Sequence, residues 1–157
     1  YTGSDEHPAT LAQLFELIDG QVPLLIEVKS KPGYDVARSC AIVAKACKTY
    51  SGPFAIMSFD PRVARWFRKH APDICAGLVM REDAHGNTQR PWQRKLAHWI
   101  AKPDFLAYHI AALPSQRVAR LRDGGLPILT WTVNSPETRE RALRHTDALI
   151  AEGAGLE

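Results

Sequence analysis

A chain of 157 residues with 45% hydrophobic and 24% charged side chains has enough apolar material for a real core, which excludes a disordered tail. Its 20 Lys and Arg against 17 Asp and Glu leave a net charge of +3, and the basic residues are scattered apart from short clusters such as Arg65-Trp66-Phe67-Arg68-Lys69-His70. That balance is too mild for a nucleic-acid binder and suits an anionic small substrate.

Thr10 through Ile18 reads as a helix, with Thr10 as N-cap, Leu11, Leu14, Phe15 and Ile18 on one face, and Gly20 as the stop. Pro23 introduces the apolar run Leu24 to Val28, short and flanked by turn formers, as a buried strand is. A helix follows over Asp35 to Tyr50, with Val36, Ala37, Cys40, Val43, Ala44 and Cys47 spaced for one face. Phe54 to Phe59 is the next strand. Pro61 to His70 is a helix whose first-turn proline costs little, because the N–H it lacks has no partner inside a helix. Ala76 to Met80 is a strand and Arg81 to Thr88 a polar loop. Pro91 to Ile100 forms a short helix carrying Trp92, Leu96 and Trp99. The alternation ends with a strand at Phe105 to His109, a helix at Ser115 to Asp123 with Val118 and Leu121 inward, a strand at Leu126 to Val133, a helix from Ser135-Pro136-Glu137 to His145, and a strand at Asp147 to Ala151.

Six strands separated by helical patterns predict an α/β fold with a parallel sheet, since parallel neighbours need a crossover and a helix usually supplies it. No gap resembles a linker, so 1–157 reads as one domain. A doubly wound sheet and part of a (β/α) barrel both satisfy the pattern. A Rossmann phosphate loop is excluded: Gly124-Gly125 follows a helix and precedes a strand, the wrong side for that motif.

Chemistry is expected at the carboxyl ends of the strands, where parallel α/β folds bind ligands. Glu27 and Lys29 lie two apart at such an end and share a face. They are either a salt-bridged strand end or a site, in which the carboxylate holds a hard cation and the ammonium neutralises a phosphate. Asp60, in Ser58-Phe59-Asp60-Pro61, reads as a helix cap before it reads as a catalytic group. In Trp131-Thr132-Val133-Asn134, Trp131 offers an apolar wall and Asn134 is turn and cap chemistry. Of the histidines, His70 and His145 lie at helix C-termini, His85 in the polar loop and His98 in the Trp-rich helix. His109 alone ends a strand, in a core or rim role or near a site.

The odd set Cys40, Cys47 and Cys75 lacks C-x-x-C spacing, so reduced, buried thiols are expected rather than disulfides or a zinc site. No apolar run approaches the roughly 20 residues that cross a bilayer. Tyr1-Thr2-Gly3-Ser4-Asp5-Glu6-His7 has no signal-peptide pattern. A cytoplasmic location is the expectation, with an upstream leader left open because Tyr1 is not an initiating Met.

Taken in order, Thr10 to Ile18, Val22-Pro23-Leu24-Leu25-Ile26-Glu27-Val28-Lys29, Met57-Ser58-Phe59-Asp60 and Thr130-Trp131-Thr132-Val133-Asn134 resemble the glycerophosphodiester phosphodiesterase family across nearly the whole chain. The resemblance implies a (β/α)₈ TIM barrel that hydrolyses a glycerophosphodiester to an alcohol and glycerol 3-phosphate, in glycerol and lipid metabolism. It implies a divalent metal, Mg²⁺ or Ca²⁺, and two acid–base histidines. On it, Glu27 is the metal-ligating glutamate of the third strand, and Lys29 is the catalytic lysine on the substrate phosphate. Phe59 and Trp131 line the pocket. The family's H-R-G, E-x-D and H-D motifs have no counterpart here, and the last strand reads Ile150-Ala151-Glu152-Gly153 where the family commonly has Thr-Asp. A barrel of about 250 residues would then be short by roughly 90, leaving six βα units without the first two strands. Such a piece is expected to be inactive alone and to expose two sheet edges, inviting self-association or a missing segment. The alternative is a non-catalytic, degenerate barrel that binds phosphate or serves assembly.

Overall fold

The computed structural model describes residues 7–83, 86 and 88–156; Tyr1 to Glu6 and His85 lie outside the described residues. Six strands, β1 (Leu24–Glu27), β2 (Phe54–Ser58), β3 (Ala76–Met80), β4 (Leu106–His109), β5 (Ile128–Val133) and β6 (Ala148–Ala151), form one parallel sheet whose spatial order equals the chain order. Each neighbouring pair is parallel. A doubly wound sheet reverses its order at a switch point. This one never does, so of the two architectures open to the sequence it is the curled part-barrel.

The helices are α1 (Leu11–Ile18), α2 (Val36–Cys47), α3 (Pro61–His70), α4 (Pro91–Ala101), α5 (Gln116–Asp123) and α6 (Pro136–His145). Local chemistry sets their starts. Thr10 and Gln13 cap α1 reciprocally, with the Thr10 amide donating to Gln13 Oε1 at 2.8 Å. Asp35 accepts from the Arg38 amide at 3.0 Å, and Asp60 from the Arg62 amide at 2.9 Å. Proline opens α3, α4 and α6. At the end of α1 the chain takes the left-handed conformation at Asp19 and again at Gly20, φ 46° and 72°, which suits glycine and is tolerated by Asp.

Four expectations need correction, the first being that Ala37, expected on the apolar face of α2, is exposed. The helix expected to reach Tyr50 stops at Cys47, where Thr49 turns back to bond the Ala46 carbonyl at 2.8 Å. Leu14 is exposed, because α1 buries only Phe15, stacked on Tyr50 at 4.6 Å. Cys40 and Cys47 are buried, but Cys75, just before β3, is exposed.

The side chains of the sheet divide by the period of two. Ile56, Leu78, Met80, Leu106, Tyr108 and Ile128 join the helices in the main apolar cluster. Alternate positions point to the concave face, where Val79, Phe105 and Ala107 are buried while Leu25, Met57 and Leu129 are only half-buried. Gly77 is required there: a Cβ would stand 2.3 Å from the Phe105 ring. β1 and β6 each pair on one side only among the described residues.

Candidate active site

The carboxyl ends of the strands carry a polar and aromatic rim. On β1, the Lys29 ammonium donates to Glu27 Oε1 at 3.0 Å, with the lysine side chain 75% exposed and the glutamate 24%. So open a pair adds at most about 1 kcal/mol to stability. It leaves an ammonium free to meet an anion from solvent.

Next to it, Asp60 has the capping role expected and is saturated. Ser30 Oγ donates to it at 2.7 Å, and Arg62 reaches it through Nε at 3.0 Å and Nη2 at 2.6 Å. Burial alone raises this carboxyl. The hydrogen bonds from Arg62, Ser30 and the Arg62 amide outweigh it and hold the group below the usual value. Asn134 keeps its turn role, its amide donating to Thr138 Oγ1, while Ser135 is the cap of α6.

Trp131 is the hub of the other flank. Phe59 meets it edge-on with ring centroids 5.4 Å apart, and His109 lies at 4.7 Å. The Arg81 guanidinium stands 5.6 Å over the indole, within cation–π reach. The indole N–H donates to the Ala107 carbonyl at 3.0 Å, which fixes the ring. Arg81 also forms a close ion pair with Asp83, whose carboxylate lies 3.9 Å from His109 Nδ1. Burial lowers the His109 pKa; Asp83 works against that and Arg81 with it, and the net shift is downward. His109 therefore belongs to the rim of this cluster, not to the core.

Behind the rim, Glu82 accepts from the buried Tyr108 hydroxyl and pairs with Arg94 Nη2 at 3.0 Å. Arg94 Nη1 also donates to the carbonyls of Thr88 at 2.9 Å and Gln89 at 2.5 Å. The loop after β3 is thereby tied to α4. Burial and the Glu82 carboxylate push the Tyr108 phenol upward, so it stays a hydrogen-bond donor.

Phe59, Trp131 and His109 thus converge, while Glu27 and Lys29 pair with each other on β1. The sequence reading missed Arg81, Glu82 and Asp83, having taken 81–88 as a plain loop. The signal was present: Arg81 continues the Gly77, Val79 alternation at a strand's carboxyl end, as Lys29 continues that of Leu25 and Glu27. A cavity of about 520 Å³ lies beside this rim, lined by Ser30, Lys31, Phe59, Arg62, Trp92 and Leu96 among others. Among the described residues, no group of three His, Cys, Asp or Glu is placed to hold a metal. Glu27, already bonded to Lys29, does not make a cation site by itself.

A sequential parallel part-barrel with a polar and aromatic rim at the carboxyl ends of its strands places the chain in the TIM-barrel fold class. Residues 3–151 match the Glycerophosphoryl diester phosphodiesterase family, and the chain belongs to it. Its fold is similar to that of a glycerophosphoryl diester phosphodiesterase described as putative, from Silicibacter pomeroyi, with a TM-score of 0.76 and 27% identity over 92% of this chain and 53% of that one. A phosphodiesterase from Oleispira antarctica, solved with the product sn-glycerol-3-phosphate, gives 0.74 and 19% over 93% and 58%. The glycerophosphodiester phosphodiesterase of Thermotoga maritima gives 0.70 and 20% over 94% and 62%. The chain thus spans 53% to 62% of the length of these relatives. No curated protein matches it. Among the described residues, no helix is long and apolar enough to cross a membrane.

Proposed function

We propose that this chain supplies the phosphate-binding flank of a glycerophosphodiester phosphodiesterase, a hydrolase that releases glycerol 3-phosphate and an alcohol. The observation that carries the reading is the exposed Lys29 ammonium, held by Glu27 at the carboxyl end of β1 in a chain of this family. Lys29 receives a phosphoryl oxygen, with Arg81 a second cation on the rim, and both favour the charge that grows there as the ester bond breaks. Phe59 and Trp131 form the apolar wall against the glycerol or alcohol carbons. In the reaction, water oxygen joins phosphorus, the bond to the alcohol oxygen breaks, and the water's proton ends on that alcohol.

Glu27 is offered as a single ligand for Mg²⁺ or Ca²⁺, which needs further carboxylates and waters. Acid–base groups of the family's H-R-G and H-D kind are absent from this sequence, so the chain alone is expected not to turn over. Its thiols, none of them in a disulfide, fit a cytoplasmic setting. The second reading is a non-catalytic phosphate-binding or assembly module, since the exposed Lys29 ammonium can hold an anion with or without turnover.

Glycerol 3-phosphate release from glycerophosphocholine, with and without Mg²⁺ or Ca²⁺, separates the two when measured on a longer protein that carries H-R-G ahead of these residues. Absence of release there would sink the enzyme reading. Calorimetric binding of glycerol 3-phosphate should weaken about 10- to 100-fold in Lys29→Met, the size of a lost charged hydrogen bond. Unchanged binding would remove Lys29 from the site.

A further inference from the structure

We infer that the outer face of α3 and α4 docks on an anionic lipid surface. Trp92, Leu96 and Trp99 are 58%, 46% and 68% exposed. At about 100° per residue they fall within an arc of roughly 60°. That arc lies opposite the buried Arg94, Ala97 and Ala101, so the row points straight out from the sheet. Exposed large apolar residues in a continuous row mark an interaction surface, whereas scattered ones do not.

Cations border this row on both sides. α3, packed beside α4, presents Arg62, Arg65, Arg68 and Lys69 to solvent. On the other side Lys95 shares a cleft with Arg117 and Arg120 of α5. Neither α3 nor α4 contains an Asp or Glu. A bilayer with acidic headgroups matches both features, the indoles and leucine entering the boundary between headgroup and acyl chain and the cations meeting the phosphates. A single-stranded nucleic acid would call for aromatics interleaved with cations along one groove. Here the cations lie to either side of the apolar row, on α3 and at Lys95 with Arg117 and Arg120 of α5, and not between its members.

Completion of the barrel does not cover this face. α4 is the crossover between β3 and β4, the central strands, while new strands would join at the edges β1 and β6. Docking also turns the cavity beside Phe59 toward the lipid, because Trp92 and Leu96 line it as well. The inference needs no phosphodiesterase activity and stands whether or not the chain is catalytic.

Sedimentation of the 157-residue chain with extruded vesicles tests it. Vesicles containing roughly a third phosphatidylglycerol should bind at least about tenfold more strongly than phosphatidylcholine alone, and added salt should weaken the binding. Trp92→Ser with Trp99→Ser, and separately Arg65→Glu with Lys69→Glu, should each cost about tenfold or more. Circular dichroism checks that both variants keep the fold. Equal binding to the two vesicle types, no binding, or binding untouched by either pair of substitutions would overturn the inference. So would a dimer in light scattering that Trp99→Ser dissolves while vesicles fail to bind, or an oligonucleotide held more tightly than the acidic vesicles.

Discussion

Replacing Arg94 with methionine keeps most of the side-chain volume and removes the guanidinium that ties the loop after β3 to α4. Arg94 is 7% exposed, and its fork serves three partners: Glu82 at 3.0 Å, the Thr88 carbonyl at 2.9 Å and the Gln89 carbonyl at 2.5 Å. Breaking a fully buried ion pair costs about 3–5 kcal/mol, because the other charge is stranded. Glu82 is 31% exposed and keeps the Tyr108 hydroxyl, so water recovers part of that loss. The expected cost is about 2–4 kcal/mol, or roughly 5–12 °C in Tm for a domain of this size. Urea unfolding, followed by circular dichroism, measures it as a shift of the midpoint at constant slope. Arg94→Lys should lose about half as much, since one ammonium cannot span the carboxylate and two carbonyls in a planar fork. Glu82→Gln combined with Arg94→Met should show non-additive losses, because the two residues share one network. A loss under about 1 kcal/mol for Arg94→Met would refute the reasoning, since it would mean that solvent already satisfies these groups.

In nuclear magnetic resonance titration His109 should titrate below 6.5; Asp83→Asn should lower it further and Arg81→Gln should raise it. A value above 6.5 would contradict the partial burial of the ring. Asp60 has a folded pKa below its ordinary 3.8, so its bonds stabilise the fold above that pH and the benefit is lost as pH falls through the lower, folded value. Asp60→Asn should therefore destabilise at neutral pH and approach the parent's stability in acid below 3.8; a constant difference at all pH would exclude this. Of the three thiols, Cys75 should react with a disulfide reagent in the native protein, while buried Cys40 and Cys47 should wait for denaturant. Though exposed, the Cys75 thiol is partly shielded from water by the chain around it, and this shielding together with the Asp104 charge raises its pKa, so it should still react more slowly than a free thiol at neutral pH. Protection of Cys75 equal to that of Cys40 would contradict its placement.

Most element spans were legible in the sequence because their causes lie within a few residues. Pro61 to His70 and Ala76 to Met80 are found at the bounds expected, and Thr10 and Asp60 cap as their types suggest. Strand ends were legible to a residue or two, and with them the positions of Glu27, Lys29, Phe59 and Trp131. The alternation alone left open a doubly wound sheet and a part-barrel, since the two differ only in which strand lies beside which; the family resemblance implied the barrel, and the strand order bears it out. That choice depends on long-range pairing, and it decides everything about the rim. Strand order and curl bring Phe59 of the second strand's end, Arg81 of the third and His109 of the fourth around the indole of Trp131 on the fifth. Similarly, the sequence places Trp92, Leu96 and Trp99 on one short helix without saying which way they face. Only the packing of Arg94, Ala97 and Ala101 against the sheet turns them outward. Periodicity marks a face as apolar; its direction follows from which side of the helix meets the rest of the fold.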